Sequence, residues 1–244
     1  GLDKEHGGYI EAFAEDWSKI EDVRLGPKDQ NERKTANTHL HILEAYTNLY
    51  SVWKDTKIKK SLINLILIFK DILVSSDFHL NLFFNEQWQI KESHNSFGHD
   101  IEASWILYKA AKIINDKKLS KIISGLCINI ASQIESEGIG KLGSVINNNS
   151  SKEDLIEPIQ WWVPAEAMVG FYNAWQITGE NKYLKASKSN WEFIKNYVVD
   201  KSGEWHWYVD ENGHSFGKEK IGFWKCPYHN TRACLELINR ISQI

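Results

Sequence analysis

Three histidines occupy the same position in a recurring pattern of this chain. His41, His99 and His229 are each followed by an Ala four residues later and each open an apolar run with helical spacing. A fourth copy at 163–167 keeps the Glu and Ala of the pattern but begins with Val, and the copies lie about 60 residues apart. A neutral imidazole accepts a proton and its protonated form returns one, so these side chains could carry out acid–base catalysis at one shared site.

The residue three positions after each histidine lies on the same helix face. Glu44 and Glu102 occupy that position in the first two copies, and Arg232 occupies it in the last. A carboxylate there could fix the imidazole tautomer, and the helix dipole would lower the histidine pKa and keep a neutral base. Arg232 could instead bind an oxyanion or a sugar hydroxyl. Glu166 has no histidine before it, so the pattern predicts either a substrate ligand or support for a neighbouring helix.

Apolar periodicity predicts seven helices that would position these residues. Their approximate bounds are 37–55, 58–75, 98–115, 118–136, 164–178, 182–198 and 230–242. Helix pairs at this repeat length form an open solenoid or a closed ring. The long connections between pairs are rich in aromatic residues, which favours a ring with a site built from its loops. We therefore predict an all-α fold, an (α/α)6 barrel with short β-hairpins in the inter-repeat loops. Residues 1–244 would form a single domain, about four of the six repeats.

Composition excludes several functional classes. The net charge of −3 gives no electrostatic reason to expect a nucleic acid or an anionic membrane as partner. Three cysteines without metal-type spacing predict a reducing, cytoplasmic location. The 11 Trp and 9 Tyr, many of them in polar stretches such as 205–208, are typical of flat surfaces on which sugars stack.

The first residues of the chain resemble a segment inside the repeat. Residues 3–9 and 200–205 both place Asp-Lys before a turn and then aromatic residues. We therefore expect the chain to begin inside a repeat and to lack its N-terminal part, so that it would not close a ring by itself. For the full-length protein we expect a monomer or a weak homodimer.

Four segments resemble the N-acylglucosamine 2-epimerase superfamily, and most closely its cellobiose 2-epimerase branch. They are 37–47, 98–105, 161–167 and 224–230, and the similarity extends over almost all 244 residues. The motifs beginning at Gly98 and Trp224 are long and specific. The resemblance implies the same (α/α)6 barrel that the repeats predict.

The resemblance also implies a reaction and a set of site residues. The expected substrate is a β-1,4-linked disaccharide such as cellobiose, inverted at C2 of its reducing glucose through a cis-enediolate, with no cofactor and no metal. One departure is that the family carries an Arg on an early inner helix, for which this chain has no counterpart. The implied catalytic residues are His99 and His229 as the acid/base pair, His41 on the oxygens of the intermediate and Glu102 supporting His99; the implied substrate-binding residues are Asn37, Asp29, Trp161 and Trp224, beside Glu166 and Arg232 from the repeat.

Other functions remain alternatives at this point. N-acylglucosamine 2-epimerases and aldose–ketose isomerases use the same enediolate route. A glycoside hydrolase on such a ring would need two opposed carboxylic acids, for which Asp29, Asp100, Glu102 and Glu166 are available. Three histidines and a Glu could also hold zinc, although no His-Glu-x-x-His motif is present. An inactive fragment or an interaction module is the last alternative.

Overall fold

The computed structural model describes residues 1–26, 30–91, 94–148, 157–217 and 219–242, and these residues form seven α-helices and five short strands. Five-residue π-helical segments, Phe69–Leu73 and Ile194–Val198, extend α2 and α6. The helices are α1 Ala36–Val52, α2 Thr56–Ile68, α3 Phe97–Ile114, α4 Lys117–Glu137, α5 Trp162–Thr178, α6 Asn181–Phe193 and α7 Tyr228–Ile241; the strands are β1 Lys34–Thr35, β2 Phe83–Phe84, β3 Ile159–Gln160, β4 Tyr208–Val209 and β5 Ser215–Phe216.

The chain divides into two compact units. The first unit is Gly1–Asn95 with Ile106–Leu126, and the second is Ser96–Trp105 with Cys127–Ile244. Helices α3 and α4 therefore each contribute residues to both units. The second unit contains most of the site residues predicted above.

In the first unit, α1 and α2 form a helical hairpin whose ends are set by capping side chains. The Thr35 hydroxyl accepts a hydrogen bond from the Thr38 backbone N–H and so caps α1. Asp55 caps α2 in the same way by accepting from the backbone N–H groups of Lys57 and Ile58. Because Asp55 belongs to the second cap, α1 ends at Val52 rather than near residue 55 as predicted.

Two buried polar side chains anchor the start of α1. The Lys34 ammonium lies 2.8 Å from Asp3 and 4.3 Å from the Trp88 ring. The His39 ring accepts a hydrogen bond from the Tyr9 backbone N–H through Nε2 and donates to the Thr35 carbonyl through Nδ1. Burial lowers the pKa of His39 to about 4. His39 is thus a neutral structural residue.

In the second unit, the first half of α3 and the second half of α4 pack against α5 and α6. Their core includes Phe97, Ile134 and Phe171, all 0% exposed. Helices α3 and α5 approach closely at Gly170, where an added Cβ would lie 2.8 Å from the Ile101 carbonyl oxygen. Helix α5 ends as predicted at Gly179, whose φ of 74° is the left-handed conformation that favours glycine.

Short strands connect the helices of the second unit. Strands β3, β4 and β5 form an antiparallel sheet with Ile159 opposite Val209. Strand β3 leads directly into α5, and the β4–β5 hairpin is followed by the loop that enters α7. The three cysteines are free thiols. Among the described residues, none of the helices combines the length and apolar character needed to cross a bilayer.

Candidate active site

Side chains from three helices of the second unit meet around the carboxylate of Glu166. Glu166 lies on α5 and is 0% exposed. Its Oε1 accepts hydrogen bonds of 2.7 Å from Nη2 of Arg232 and 2.7 Å from Nδ1 of His229, both on α7. Its Oε2 accepts a 3.0 Å bond from the indole Nε1–H of Trp105 on α3. The carboxylate therefore fixes one ring nitrogen of His229.

Arg232 is held on several sides. Its Nη2 donates to Glu102 as well as to Glu166. The guanidinium carbon lies 5.0 Å from the ring centroid of Trp105 and 4.4 Å from that of Tyr228, within the range of cation–π attraction. With its side chain only 9% exposed, Arg232 links the two carboxylates of α3 and α5 to α7.

The ionisable groups of this cluster shift one another. Burial alone would raise the pKa of Glu166, but the positive charge of Arg232 and the hydrogen bond from His229 hold it well below its usual range. Burial and the negative charge of Glu166 raise the pKa of Glu102. The Oε2 atom of Glu102 is buried and has no hydrogen-bond partner among the described residues.

His229 departs from the pKa that its helix position predicted. Burial opposes the charged imidazolium, but the hydrogen bond to Glu166 outweighs it and raises the pKa of His229. The helix dipole argument predicted a lowered pKa. It was wrong for His229 because a buried carboxylate in direct contact acts more strongly than the dipole of the first turn.

The second histidine of this unit contacts the same indole ring as His229. The His99 ring centroid is 4.9 Å from that of Trp162, and the His229 ring is 5.3 Å from the same indole. Nδ1 of His99 lies 2.7 Å from the Ser96 hydroxyl. A Cβ on Gly98 would come within 2.4 Å of the Trp162 ring, so a residue without a side chain is required there. Two imidazoles thus contact one aromatic ring, and each is held through Nδ1.

Three predicted residues have partners other than those expected. Glu102 was expected to orient His99, but it binds Arg232, and Ser96 holds His99 instead. Arg232 was expected to contact substrate, and Glu166 either to contact substrate or to support a neighbouring helix. Both are almost fully buried and bind protein groups, so they form the support of His229.

The two predicted sugar-stacking residues differ in exposure. Trp161 is 3% exposed and packs edge-on against Trp207, with centroids 5.5 Å apart. A ring buried in this way cannot cover a sugar, whereas its neighbour Trp162 contacts both histidines. Trp224 is 50% exposed in the loop before α7 and contacts Phe223, so its ring is accessible.

The remaining predicted residues do not belong to the second unit. His41 and Asn37 lie in the first two turns of α1, in the first unit, and both are partly buried. Beside them, the Glu11 carboxylate accepts hydrogen bonds from the hydroxyls of Thr35 and Thr38 at the start of α1. Asp29 lies outside the described residues.

The cluster contains groups of the kind that bind metals. Ligand atoms of Glu102, Glu166 and His229 lie within 4.8 Å of one another. The guanidinium of Arg232 bonds to both carboxylates and approaches Nδ1 of His229 to 3.5 Å. A metal ion would have to displace this fixed cation, so the donor set fits an arginine-centred network rather than a metal site.

Sequence reasoning missed Trp105, Trp162, Ser96 and Tyr228. Trp105 follows Glu102 by three residues and Glu166 follows Trp162 by four, so helical spacing could have indicated both tryptophans. Ser96 precedes α3, and its bond to His99 depends on the local turn. Only the packing of α3, α5 and α7 reveals that these residues share one site.

The chain is similar to proteins of a known family. The N-acylglucosamine 2-epimerase (GlcNAc 2-epimerase) family model matches residues 3–233. The chain belongs to the N-acylglucosamine 2-epimerase family. It is 46% identical over 235 residues to a cellobiose 2-epimerase of Bacteroides fragilis and 41% identical over 238 residues to one of Dictyoglomus turgidum. These matches cover 95% and 96% of this chain and 60% of each relative, so the chain spans about 60% of their length.

Within the epimerase family, the fold class is confirmed by a solved structure. The structure of the cellobiose 2-epimerase from Bacillus thermoamylovorans matches with a TM-score of 0.89 and 41% identity, over 98% of this chain and 62% of the other. The prediction of an all-α fold of the (α/α)6-barrel class is therefore correct.

Proposed function

We propose that this member of the epimerase family inverts C2 of the reducing-end glucose in a β-1,4-linked disaccharide such as cellobiose. The observation that carries the proposal is the pair of imidazoles, His99 and His229, that both contact the Trp162 ring. Inversion at carbon needs two acid–base groups on opposite faces of a planar intermediate. The names of the relatives support a cellobiose-like substrate.

The reaction follows from ordinary carbonyl chemistry. Ring opening exposes the aldehyde, which acidifies the hydrogen on C2. One histidine accepts that proton while the C–H electron pair forms the C1–C2 double bond and the carbonyl oxygen becomes an oxyanion. The second histidine donates a proton to C2 from the opposite face, and the carbonyl re-forms. In the reverse direction the two histidines exchange roles.

The contacts of each imidazole ring support these two roles, one ring as proton acceptor and the other as proton donor. Nδ1 of His229 is bonded to Glu166, and Nδ1 of His99 to Ser96, so we assign Nε2 of each ring to proton exchange with the sugar. The raised pKa of His229 favours its protonated form, so this ring readily holds the proton that C2 receives. His41 and Asn37 remain our candidates for donors to the oxyanion, with Trp224 as the exposed stacking surface.

The carboxylates argue against a hydrolase. Glycoside hydrolysis needs an acid and a base or nucleophile that both reach the scissile bond. Asp100, Glu102 and Glu166 are each at most 1% exposed, and the two glutamates share Arg232. The two glutamates are therefore placed to support His229 rather than to contact a sugar.

The test is isotope exchange with the protein expressed from its complete gene. Cellobiose incubated in heavy water should yield the C2 epimer, glucosyl-mannose, carrying deuterium at C2 in NMR spectra. His99→Gln and His229→Gln should each lower epimerisation at least about a hundredfold, the usual contribution of a general acid or base. His214→Gln is the matched control, because His214 is exposed in a hairpin turn beside Asp210.

Several outcomes would reject the proposal. Absence of deuterium at C2 of every product would exclude epimerisation by this route. Formation of a ketose would identify an aldose–ketose isomerase, and release of glucose a hydrolase. Turnover of N-acetylglucosamine to its epimer, without turnover of cellobiose, would assign the family's other substrate.

A further inference from the structure

A second carboxylate in this unit, that of Glu204, binds the chain on both sides of His229. Its Oε1 accepts a 2.7 Å hydrogen bond from the side-chain amide of Asn230, the residue directly after His229. The same oxygen lies 3.5 Å from the ammonium of Lys225, four residues before His229. It also accepts a 3.0 Å bond from the Trp205 backbone N–H. One oxygen therefore ties together the entry and the first turn of α7.

Lys225 depends on this carboxylate for its position. Its side chain is 0% exposed, and its ammonium also donates to the Lys220 carbonyl at 3.0 Å and lies 5.2 Å from the Trp161 ring. Burial disfavours the ammonium and lowers the pKa of Lys225, although the charge of Glu204 opposes the change. A buried ammonium without a hydrogen-bond acceptor is disfavoured, so loss of the Glu204 side-chain oxygen would displace this residue.

The backbone of Glu204 is held in an uncommon conformation. Its φ is 59°, in the left-handed region that non-glycine residues rarely adopt. The turn from Asp200 is closed by a bridge between Val199 and Trp205 and by the bond from the Asp200 N–H to the Glu204 carbonyl. The cost of this conformation is tolerated where the surrounding structure maintains it, as the contacts to Lys225 and Asn230 do here.

Helix α7 needs such a restraint because it lacks an ordinary cap. The residue before its first turn is Pro227, and no side chain caps the helix there. Uncapped first turns leave backbone donors unsatisfied and open readily. The preceding loop gives little support, since Phe223 is 83% and Trp224 50% exposed. His229 therefore lies in a turn whose position is set by side-chain contacts from outside the helix.

We propose that Glu204 is a positioning residue for His229, holding Lys225 and Asn230 so that the imidazole reaches Glu166. This inference rests on the acid–base role proposed for His229, but its first measurement does not require turnover. It assigns a function to the pair formed by buried Lys225 and partly buried Glu204, which takes no direct part in the chemistry. Glu204 itself contacts neither the histidine ring nor Arg232 in the described contacts.

The first measurement is the titration of His229 by NMR, with its signal assigned from His229→Gln. The groups that face this ring are Glu166, Glu102, Arg232 and Tyr228, and none is changed by the variants. Glu204→Ala should lower the pKa of His229, because the bond to Glu166 loosens. Glu204→Gln removes the same charge but keeps an oxygen for Asn230, so it should restore most of the wild-type value.

A substitution of Lys225 distinguishes the effect of a displaced loop on the pKa of His229 from the effect of a lost charge. Lys225→Met removes a positive charge, which by itself would raise the pKa of His229; displacement of the loop would instead lower it. We expect the lower value. Lys195→Met is the matched control, because it removes the same charge from an exposed pair with Glu192 on the surface of the π-helical segment and should leave the titration unchanged.

The second measurement is catalysis with the disaccharide. Glu204→Ala and Lys225→Met should lower kcat about tenfold with KM within about twofold, since misplacement of a reacting group affects the chemical step. The pH limb governed by His229 should move with the measured pKa.

An unchanged His229 titration in folded Glu204→Ala and Lys225→Met would overturn the proposal, as would a Glu204→Gln variant as impaired as Glu204→Ala. If Glu204→Ala does not fold, the His229 titration is measured in Asn230→Ala instead. This variant removes one of the Glu204 contacts and tests the proposal by the same criterion. A shifted titration in a protein without epimerase activity would support the positioning role and reject the proposed function. Unchanged His229 titrations in a protein with epimerase activity would reject the positioning role and support the proposed function.

Discussion

At the scale of single residues, the cluster around Arg232 separates two glutamates of the same type. Arg232 bonds to both, yet the pKa of Glu166 is lowered while that of Glu102 is raised. The difference follows from the partners, because Glu166 also accepts from His229 and Trp105. Two buried carboxylates beside one fixed cation are balanced when only one of them is ionised.

We therefore expect two isosteric substitutions to change the free energy of unfolding by different amounts. Glu166→Gln leaves the buried guanidinium without its charged partner and should lower the free energy of unfolding by about 3 kcal/mol. Glu102→Gln replaces a carboxyl group that favours its neutral form and should change it by less than about 1 kcal/mol. Urea unfolding at pH 7 measures both. Equal losses would show that the two carboxylates carry the same charge.

The two glutamates should also have opposite effects on how the free energy of unfolding depends on pH. The lowered pKa of Glu166 contributes stability that is complete above the ordinary Glu pKa and is lost as the pH falls toward the lowered folded value. The raised pKa of Glu102 contributes stability at low pH that is lost as the pH rises through its folded value. Relative to wild type, Glu102→Gln should therefore gain stability between pH 5 and pH 7.

At the scale of elements, the site depends on how closely α3 and α5 approach. Gly170 of α5 lies against Ile101 of α3, one residue before Glu102. Helix axes approach closely only where a small residue separates them. This contact lets Glu102 from one helix and Glu166 from the other share the guanidinium of Arg232.

Substitution of two helical glycines tests this contact. An added Cβ at Gly170 would meet backbone 2.8 Å away, so Gly170→Ala should destabilise the protein by about 2 kcal/mol. Gly125 in α4 has no atom within 4 Å of such a Cβ, so Gly125→Ala should stabilise it by about 0.5–1 kcal/mol. Thermal and urea unfolding of both variants provide the measurement. Similar effects at both glycines would contradict a close contact at Gly170.

At the scale of the whole molecule, α7 carries an exposed apolar face. Leu235, Ile238 and Ile241 are 54%, 61% and 56% exposed. They follow the helical spacing that normally covers a core. A face of this kind on an otherwise polar surface promotes association.

We expect the 244-residue chain to associate with itself in a concentration-dependent way. Ile238→Lys should reduce the apparent mass in light scattering, because a charge interrupts the apolar face. Ile122→Lys introduces the same charge at a single exposed residue of α4 and should leave association unchanged. A chain that is monomeric at all concentrations, or equal effects of both variants, would contradict this expectation.

Local sequence information predicted the helices well. Apolar periodicity gave seven helices within a few residues of their bounds, because it depends on neighbours in sequence. The repeated motif also singled out His229 and Glu166, which the structure brings into contact, and His99, which contacts the same indole as His229. The ends of α2 and α6 differ in detail, since their last turns are π-helical.

The sequence by itself determined the helix pattern, the histidine positions and the family resemblance, since each of these depends on residues near one another along the chain. Only the tertiary structure decided the partners: Arg232 lies between Glu102 and Glu166, Trp162 rather than Trp161 contacts the histidines, and Glu166 raises the pKa of His229. These contacts join residues more than 60 positions apart. Their geometry depends on the packing of α3, α5 and α7, which local periodicity does not encode.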